Sequence, residues 1–455
     1  MKTILEPSRK TSVINEVDIV VVGGGCTGVF AAIRAARLGA KVALIEASNA
    51  FGGAATNGFV CVWHTLFDMT FNKQIISGLT EETIERLKKI PHGIKIILPT
   101  DEQKHIFRKN TYANYHFNTE ELKIELDKMI LEAGVIPYLH TMYTSPYTEN
   151  GELRGVVVEN RSGRGVILAR QFIDATADGY LGADMGMKVY SHETLQPATT
   201  AARVYGWDYL NDPLNILSEN QDYIGCRPGW DDFFTDVPNI RNWFKSNISA
   251  DCSDADALTH AEIEGRAQIR RMLEVLREKD PSAKDLALIA LSSTIGIRET
   301  RQLSCSYQTT MDDICYGRKF DDAIAYCAYP VDIHHQHKQT AYRFLDGTEE
   351  IVEKGKPNRL INWREKTENM PTYWQLPYRS MLPNNIPNLL ICGRAIDADK
   401  GALAAARVMI SLNQTGEAAG VAAFEALDSN KTVQTIDFTS MRRKMKKGGS
   451  IVLAD

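Results

Sequence analysis

Eight cysteines are scattered through the 455 residues, and no two of them stand in a CxxC pair. That absence excludes a redox-active dithiol. In a chain this long their spacing reads as reduced thiols of a cytosolic protein, not as a disulfide framework. Long apolar runs are missing too, so no segment is expected to span a bilayer. The opening MKTILEPSRKTSVINE lacks the continuous apolar stretch of a signal peptide. A cytoplasmic protein without membrane contact is the expectation. Positive charge is also in short supply: 52 Lys and Arg against 57 Asp and Glu give a net charge of −5. Nucleic-acid binding needs clustered cations against phosphates, so none is expected. The one dense basic run, Arg442, Arg443, Lys444, Lys446 and Lys447, reads as solvated tail. Internal repeats and low-complexity segments do not occur.

What is present begins with VDIVVVGGGCTGVFAAIRAARLGAKVALIE, residues 17–46. The β-branched run at 19–22 predicts a buried parallel strand. Gly23, Gly25 and Gly28 follow as G-x-G-x-x-G, residues 30–38 predict a helix ending at Gly39, and 41–45 predict a second strand closed by Glu46. Gly23 permits the tight turn, and Gly25 lets the backbone approach a pyrophosphate. Gly28, with Ala31 and Ala32, lets the helix pack close to the sheet. The helix N-terminus offers N–H groups and a positive dipole end to phosphate. Glu46 stands where a carboxylate accepts from both hydroxyls of a ribose. Cys26 carries two readings, a thiol of lowered pKa beside a helix N-terminus or packing beneath a cofactor, and the second is preferred.

The continuation distinguishes a passing dinucleotide from a resident one. ASNAFGGAATNGFVCVWH places Gly52, Gly53 and Gly58 directly after the acid, as backbone running beside an extended flavin dinucleotide requires. A strand at 166–173 leads into DATADG. Another at 388–392 leads into Gly393-Arg394 and an alanine-rich helix whose Gly416 and Gly420 suit tight packing at a sheet. The first and last thirds of the chain are thus expected to share one nucleotide domain.

With these segments the sequence resembles the bacterial FAD-dependent oxidoreductases that have a glutathione-reductase-type FAD domain. The residues that carry the resemblance are FGGAATNG (51–58), DATADG (174–179), GIRETR (296–301), YPVDIH (329–334) and NLLICGR (388–394). It departs from the family pattern at Ala177, where a glycine is usual, and at Ala404-Ala405, where a Gly-Ser pair is usual. The resemblance implies an α/β fold: a three-layer Rossmann-like FAD-binding domain, parallel sheet plus β-meander, with an inserted α+β substrate domain. It implies FAD held without a covalent bond by Gly23, Gly25, Cys26, Thr27, Gly28, Glu46 and Ala47, and by Gly52, Gly53, Ala54 and Thr56. Met142 would meet the adenine through its backbone, and Ala175, Asp178, Gly393, Arg394 and Ala404 would complete the set. The expected division is 1–190 and 383–455 for the FAD domain and 191–382 for the inserted unit.

Residues 118–135 predict an amphipathic helix with Asn118 as N-cap, Glu121 in a capping arrangement and Gly134 as the stop. Residues 144–175 predict a meander with turns at Asn150-Gly151 and Ser162-Gly163. The inserted unit holds Trp207, Trp230, Trp243, Trp363 and Trp374 and a long helix at 256–279. Its aromatics suit either core or a pocket for a flat or sugar-like substrate.

Flavin performs the redox step itself, so the protein must supply position, protons and charge. Arg298, Glu299 and Arg301 are expected to form a bidentate pair and leave one guanidinium for a carboxylate or a reduced flavin, or else to form an anchoring salt-bridge network. YPVDIHHQH offers Tyr329, Asp332, His334, His335 and His337. In an extended segment His335 points away from its neighbours, which disfavours a metal site. His334 is the better acid/base candidate, with Tyr329, His64 and Arg298 completing the catalytic set. The expected activity is hydride transfer between a small organic substrate and flavin N5. No second G-x-G-x-x-G supplies a built-in nicotinamide domain, so the electron acceptor or donor must be external. Self-association stays open. The alternatives are a flavin-dependent RNA-modifying enzyme and an FAD-binding protein without redox turnover.

Overall fold

The computed structural model describes residues 2–100, 114–226, 237–334, 339–353 and 357–453. Its first strand is β1 (Ser12–Glu16), followed by β2 (Ile19–Val22), whose four residues are all buried, and by α1 (Cys26–Arg37) and β3 (Val42–Ile45). Burial on both faces suits the Val- and Ile-rich sequence to the middle of a parallel sheet. Helix α2 (Thr119–Glu132) is capped by Asn118, whose side chain accepts from the Glu120 N–H, and the chain leaves it through Gly134 at φ +75°. Strand β4 (Ile136–Tyr138) then reaches the sheet edge.

The meander β5 (Met142–Glu149), β6 (Glu152–Asn160) and β7 (Gly163–Leu168) follows. Asn150 at φ +51° and Gly151 at φ +81° are both left-handed, as a type I′ hairpin demands. The sequence reads 166–173 as one strand, and the structure divides it. The chain leaves the meander after Leu168 and enters the parallel sheet as β8 (Gln171–Asp174). The Ala169 N–H pairs with Arg154 O in the meander, whereas the Arg170 N–H pairs with Asp18 O beside β2, so the corner lies between them. Apolar alternation continues across a corner of this kind, which hides it from the sequence.

In the second half of the chain lie α3 (Ala255–Lys279), β9 (Ala323–Cys327), β10 (Val331–His334), β11 (Trp374–Pro377) and β12 (Leu389–Ile391). Helices α4 (Lys400–Ala406), α5 (Met409–Ser429) and α6 (Phe438–Lys447) end it. The five-stranded parallel sheet runs β12-β8-β2-β3-β4, so strands from both ends of the chain lie side by side. One face carries the meander, with β1 parallel to β7 at its edge, and Val20, Val22, Val156, Ile167, Phe172 and Leu389 fill the layer between. The other face carries α1 and α5. These helices cross at backbone contact: a Cβ on Gly416 would stand 2.1 Å from Thr27 O, and one on Gly420 2.3 Å from Ala31 O. The close approach read from Gly416 and Gly420 is therefore made to a helix, not to a sheet. Arg34 and Glu417 form a buried ion pair across the same crossing, which Ser450 joins from the C-terminal segment.

Trp374 is fully buried and donates from its indole N–H to Tyr329 O at 2.8 Å, and Trp207 lies in a separate small core against α3. Both belong to core. Trp230 lies outside the described residues.

Candidate active site

The glycine turn after β2 is built as its residue types dictate. Gly23 has φ +102°, and a side chain there would strike Ala175 O at 2.3 Å; one on Gly28 would strike Gly23 O at 1.9 Å. Gly25 differs, because a Cβ there meets nothing within 4 Å. Its Cα faces open space in front of α1, a helix whose N-terminus has no side-chain cap. Uncapped N–H groups beside open space form an anion seat. The second glycine segment is stitched to the first: the Gly52 N–H donates to Gly24 O at 2.8 Å, and Gly25 and Gly52 form a parallel bridge. Glu46 accepts from the Gly24 N–H at 2.8 Å on Oε2 and from the Ser48 N–H at 2.7 Å on Oε1. Each oxygen keeps a lone pair for a hydroxyl.

Cys26 is buried, with its thiol directed at Gly52 O, and burial pushes its pKa up to about 12. The lowered-pKa reading is overturned: loss of water outweighs the helix terminus. Thr56 is buried and donates its hydroxyl to Phe51 O at 2.7 Å, which ties the loop together. The Ala404 side chain is buried in α4. Ala47 and Ala54 lie at the exposed rim, and Met142 is exposed where β5 begins, just after Thr141, whose N–H donates to Glu46 O. Ala175 and Gly393 flank the turn: the Ala175 N–H donates to Val22 O, and Gly393 approaches Thr27.

Three of the sequence motifs meet at Asp178. Its carboxylate takes Arg394 at 2.6 Å and the Thr300 hydroxyl at 2.5 Å, while Arg301 Nε donates to its backbone oxygen at 2.8 Å. Arg394 also donates to Ile297 O at 2.7 Å. Asp178 and Arg394 thus lock DATADG, GIRETR and NLLICGR to one another. The Arg–Glu pair expected within GIRETR is not made. Glu299 accepts instead from the Gln196 N–H at 2.7 Å and from Gln196 Nε2 at 3.1 Å, and it faces His192 at 3.8 Å. Burial raises its pKa, but the bonds from His192 and Gln196 outweigh that and hold it below the usual carboxylate value.

The catalytic candidates gather around the buried Asp332, with Tyr329 buried and His64, Arg298 and His334 half-buried. Asp332 and His334, two apart on β10, share a face. The carboxylate of Asp332 receives Tyr329 Oη at 3.1 Å and His334 Nε2 at 3.1 Å, with Arg407 at 3.5 Å. The His64 ring stacks on Tyr329 with centroids 4.5 Å apart, and its Nδ1 lies 3.1 Å from Asn114 Oδ1. Arg298 donates to Pro197 O, and its charge, with that of Arg407, reaches both Asp332 and His334. Burial drives the Tyr329 phenol well above 10, helped by the Asp332 charge. Burial also lowers His334 below 6.5 against the pull of Asp332. His335 and His337 lie outside the described residues, and no cluster that could hold a metal occurs among those described.

A family model described as FAD dependent oxidoreductase matches residues 18–445. The chain belongs to that family. No curated protein matches the sequence. Among solved structures it is similar to a geranylgeranyl bacteriochlorophyll reductase-like protein from Thermoplasma acidophilum (14% identity, 95% of this chain and 83% of that one, TM-score 0.45). It is also similar to the myxobacterial chondrochloren halogenase (12%, 95% and 78%, 0.43) and to L-proline dehydrogenase from P. horikoshii (14%, 94% and 98%, 0.39). These likenesses are distant, and membership does not rest on them.

FAD is the cofactor of this FAD-dependent oxidoreductase. The open side of Gly25 and the uncapped start of α1 fit its pyrophosphate, and Glu46 fits a ribose. Sequence reasoning missed Arg407 and Gln196. A signal existed for the first: an arginine within the apolar run ALAAARVMI must find a buried partner. Gln196 carried none, because its partners lie more than 100 residues away.

Proposed function

We propose that this protein transfers a hydride between a small organic substrate and N5 of the flavin, with His334 handling the proton. The observation that supports this reading is the buried Asp332 carboxylate, which takes Tyr329 and His334, with His64 stacked on Tyr329 and the Arg298 charge acting on it. When bound, FAD supplies the two-electron chemistry. His334 is neutral at pH 7 because burial lowers its pKa, so it can accept a proton. Tyr329 keeps its proton at that pH and serves as a hydrogen-bond post. Arg298 adds positive charge suited to an anionic group of the substrate. With no CxxC and no second dinucleotide turn in the sequence, electrons leave to, or arrive from, an external partner. A net charge of −5 speaks against an RNA substrate.

The test is anaerobic. Purified protein with FAD is mixed with a panel of small organic acids, alcohols and amines, and flavin absorbance is followed. Bleaching by one compound class is expected. Bleaching should slow about 10²- to 10⁴-fold in His334→Gln. The acid limb of kcat/KM should lie below pH 6.5, because the folded histidine binds its proton less readily than a free one. Failure of the whole panel to bleach the flavin, in either direction, would reject the reading.

A further inference from the structure

We infer that Asp332 is a positioning residue that holds His334 as the Nε2–H tautomer and so makes Nδ1 the proton-accepting atom, with Gln196 and Arg407 fixing the pair. This rests on the reading in which His334 handles the proton.

The Asp332 side chain is buried, 5% of the residue being accessible, yet three donors converge on its carboxylate: Tyr329 Oη, His334 Nε2 and Arg407 Nη2. A carboxylate surrounded in this way stays ionised and can only accept. The hydrogen shared with His334 therefore resides on Nε2, and the lone pair lies on Nδ1. Among the described residues the nearest partner of Nδ1 is the Thr340 hydroxyl at 3.5 Å, too long to withdraw the lone pair from use. Because the two residues are two apart on β10, the strand itself sets the ring beside the carboxylate.

Gln196 completes the frame. Its Oε1 accepts from the His334 backbone N–H at 3.2 Å and from Arg407 Nη2 at 3.2 Å, while its Nε2 donates to Glu299 at 3.1 Å. One amide thus holds the His334 backbone and the guanidinium that flanks Asp332. Charged neighbours of the pair are Arg298 and Arg407, with Glu299 and His192 beyond Gln196. Orientation of an imidazole by a buried carboxylate is a general way to fix which nitrogen is basic.

The experiment is nitrogen-15 NMR of the histidine rings in the FAD-loaded protein at pH 8, with the His334 signals assigned by their loss in His334→Gln. Wild type should show a protonated Nε2 and a bare Nδ1. Asp332→Asn should lose that preference and slow flavin reduction at least tenfold with KM little changed. Asp332→Glu, which keeps the carboxylate, should restore the tautomer in part. A protonated Nδ1 in wild type would overturn the inference, and so would an unaltered tautomer in Asp332→Asn. The wild-type spectrum is decisive even if that variant does not fold. The two proposals fail separately. A substrate that bleaches the flavin while Nδ1 is protonated removes the positioning role only. A correct tautomer in a protein that no substrate bleaches removes the hydride-transfer reading only.

Discussion

Ala177 has φ +69°, in the left-handed region that favours glycine, at a position where the resembled family carries glycine. An L side chain there costs about 1–2 kcal/mol, part of which glycine would return through the freedom it adds to the unfolded chain. Ala177→Gly is therefore expected to stabilise the protein by up to about 1 kcal/mol, read as a raised denaturant midpoint. A second residue-scale test separates two glycines that look alike in sequence. Gly25→Ala adds a methyl to open space at φ −61°, so the apo protein should melt as before while FAD affinity falls at least tenfold. Gly28→Ala would place its methyl 1.9 Å from Gly23 O, so both melting and affinity should suffer. Equal loss of stability in both variants would count against Gly25 as the phosphate seat. The tight turn at Gly23 and the close packing at Gly28 were legible because strand, turn and helix fall in fixed order. The strain at Ala177 was not, since a small side chain looks harmless until the backbone angle is known. Asp178 and Arg394 carry a link that the sequence did not announce. They stand 216 residues apart in sequence, so their pairing becomes visible only in the fold.

Among elements, the crossing of α1 and α5 binds the cofactor turn to the rest of the molecule. Gly416 and Gly420 are one helical turn apart, and each lies against a carbonyl of α1 that is backbone and cannot give way. Gly416→Ala is expected to cost about 1–3 kcal/mol and to loosen FAD retention together, because the displaced atoms belong to Thr27 at the start of α1. Matching losses in midpoint and in retained flavin absorbance would confirm the coupling. A variant that loses stability but retains FAD fully would break it. The spacing of the two glycines announced a close approach, yet periodicity says nothing about which partner comes close. The corner after Leu168 was hidden for a related reason: both sheets bury apolar residues, so the pattern does not change where the chain passes from one to the other.

For the molecule as a whole, the expected inserted unit at 191–382 does not coincide with one core. Tyr326, Trp374 and Leu376 belong to the same apolar cluster as α1 and α5, whereas Trp207, Ile269, Met272 and Leu276 form a separate small one around α3. We propose that the semi-independent unit is narrower, about 198–296. Hydrogen exchange should then show this stretch opening as one unit at lower free energy than β2, β8 and α5. Uniform protection from 191 to 382 would contradict it. The tryptophans set this stretch apart in sequence, but which core each would join is decided by tertiary packing that no local pattern encodes.

The neighbours of β2 carry one more consequence, for synthesis. Strand β8 lies between β2 and β12, and α5 must cross α1 before that helix is held. During synthesis the glycine turn leaves the ribosome early, but its far wall is made of residues from about 389 to 429. The nascent chain therefore has no finished cradle until residues 389–429 have emerged, so FAD capture is expected only after that point. Such long-range closure is slow, and ribosome-bound chains stalled before residue 389 should carry no flavin.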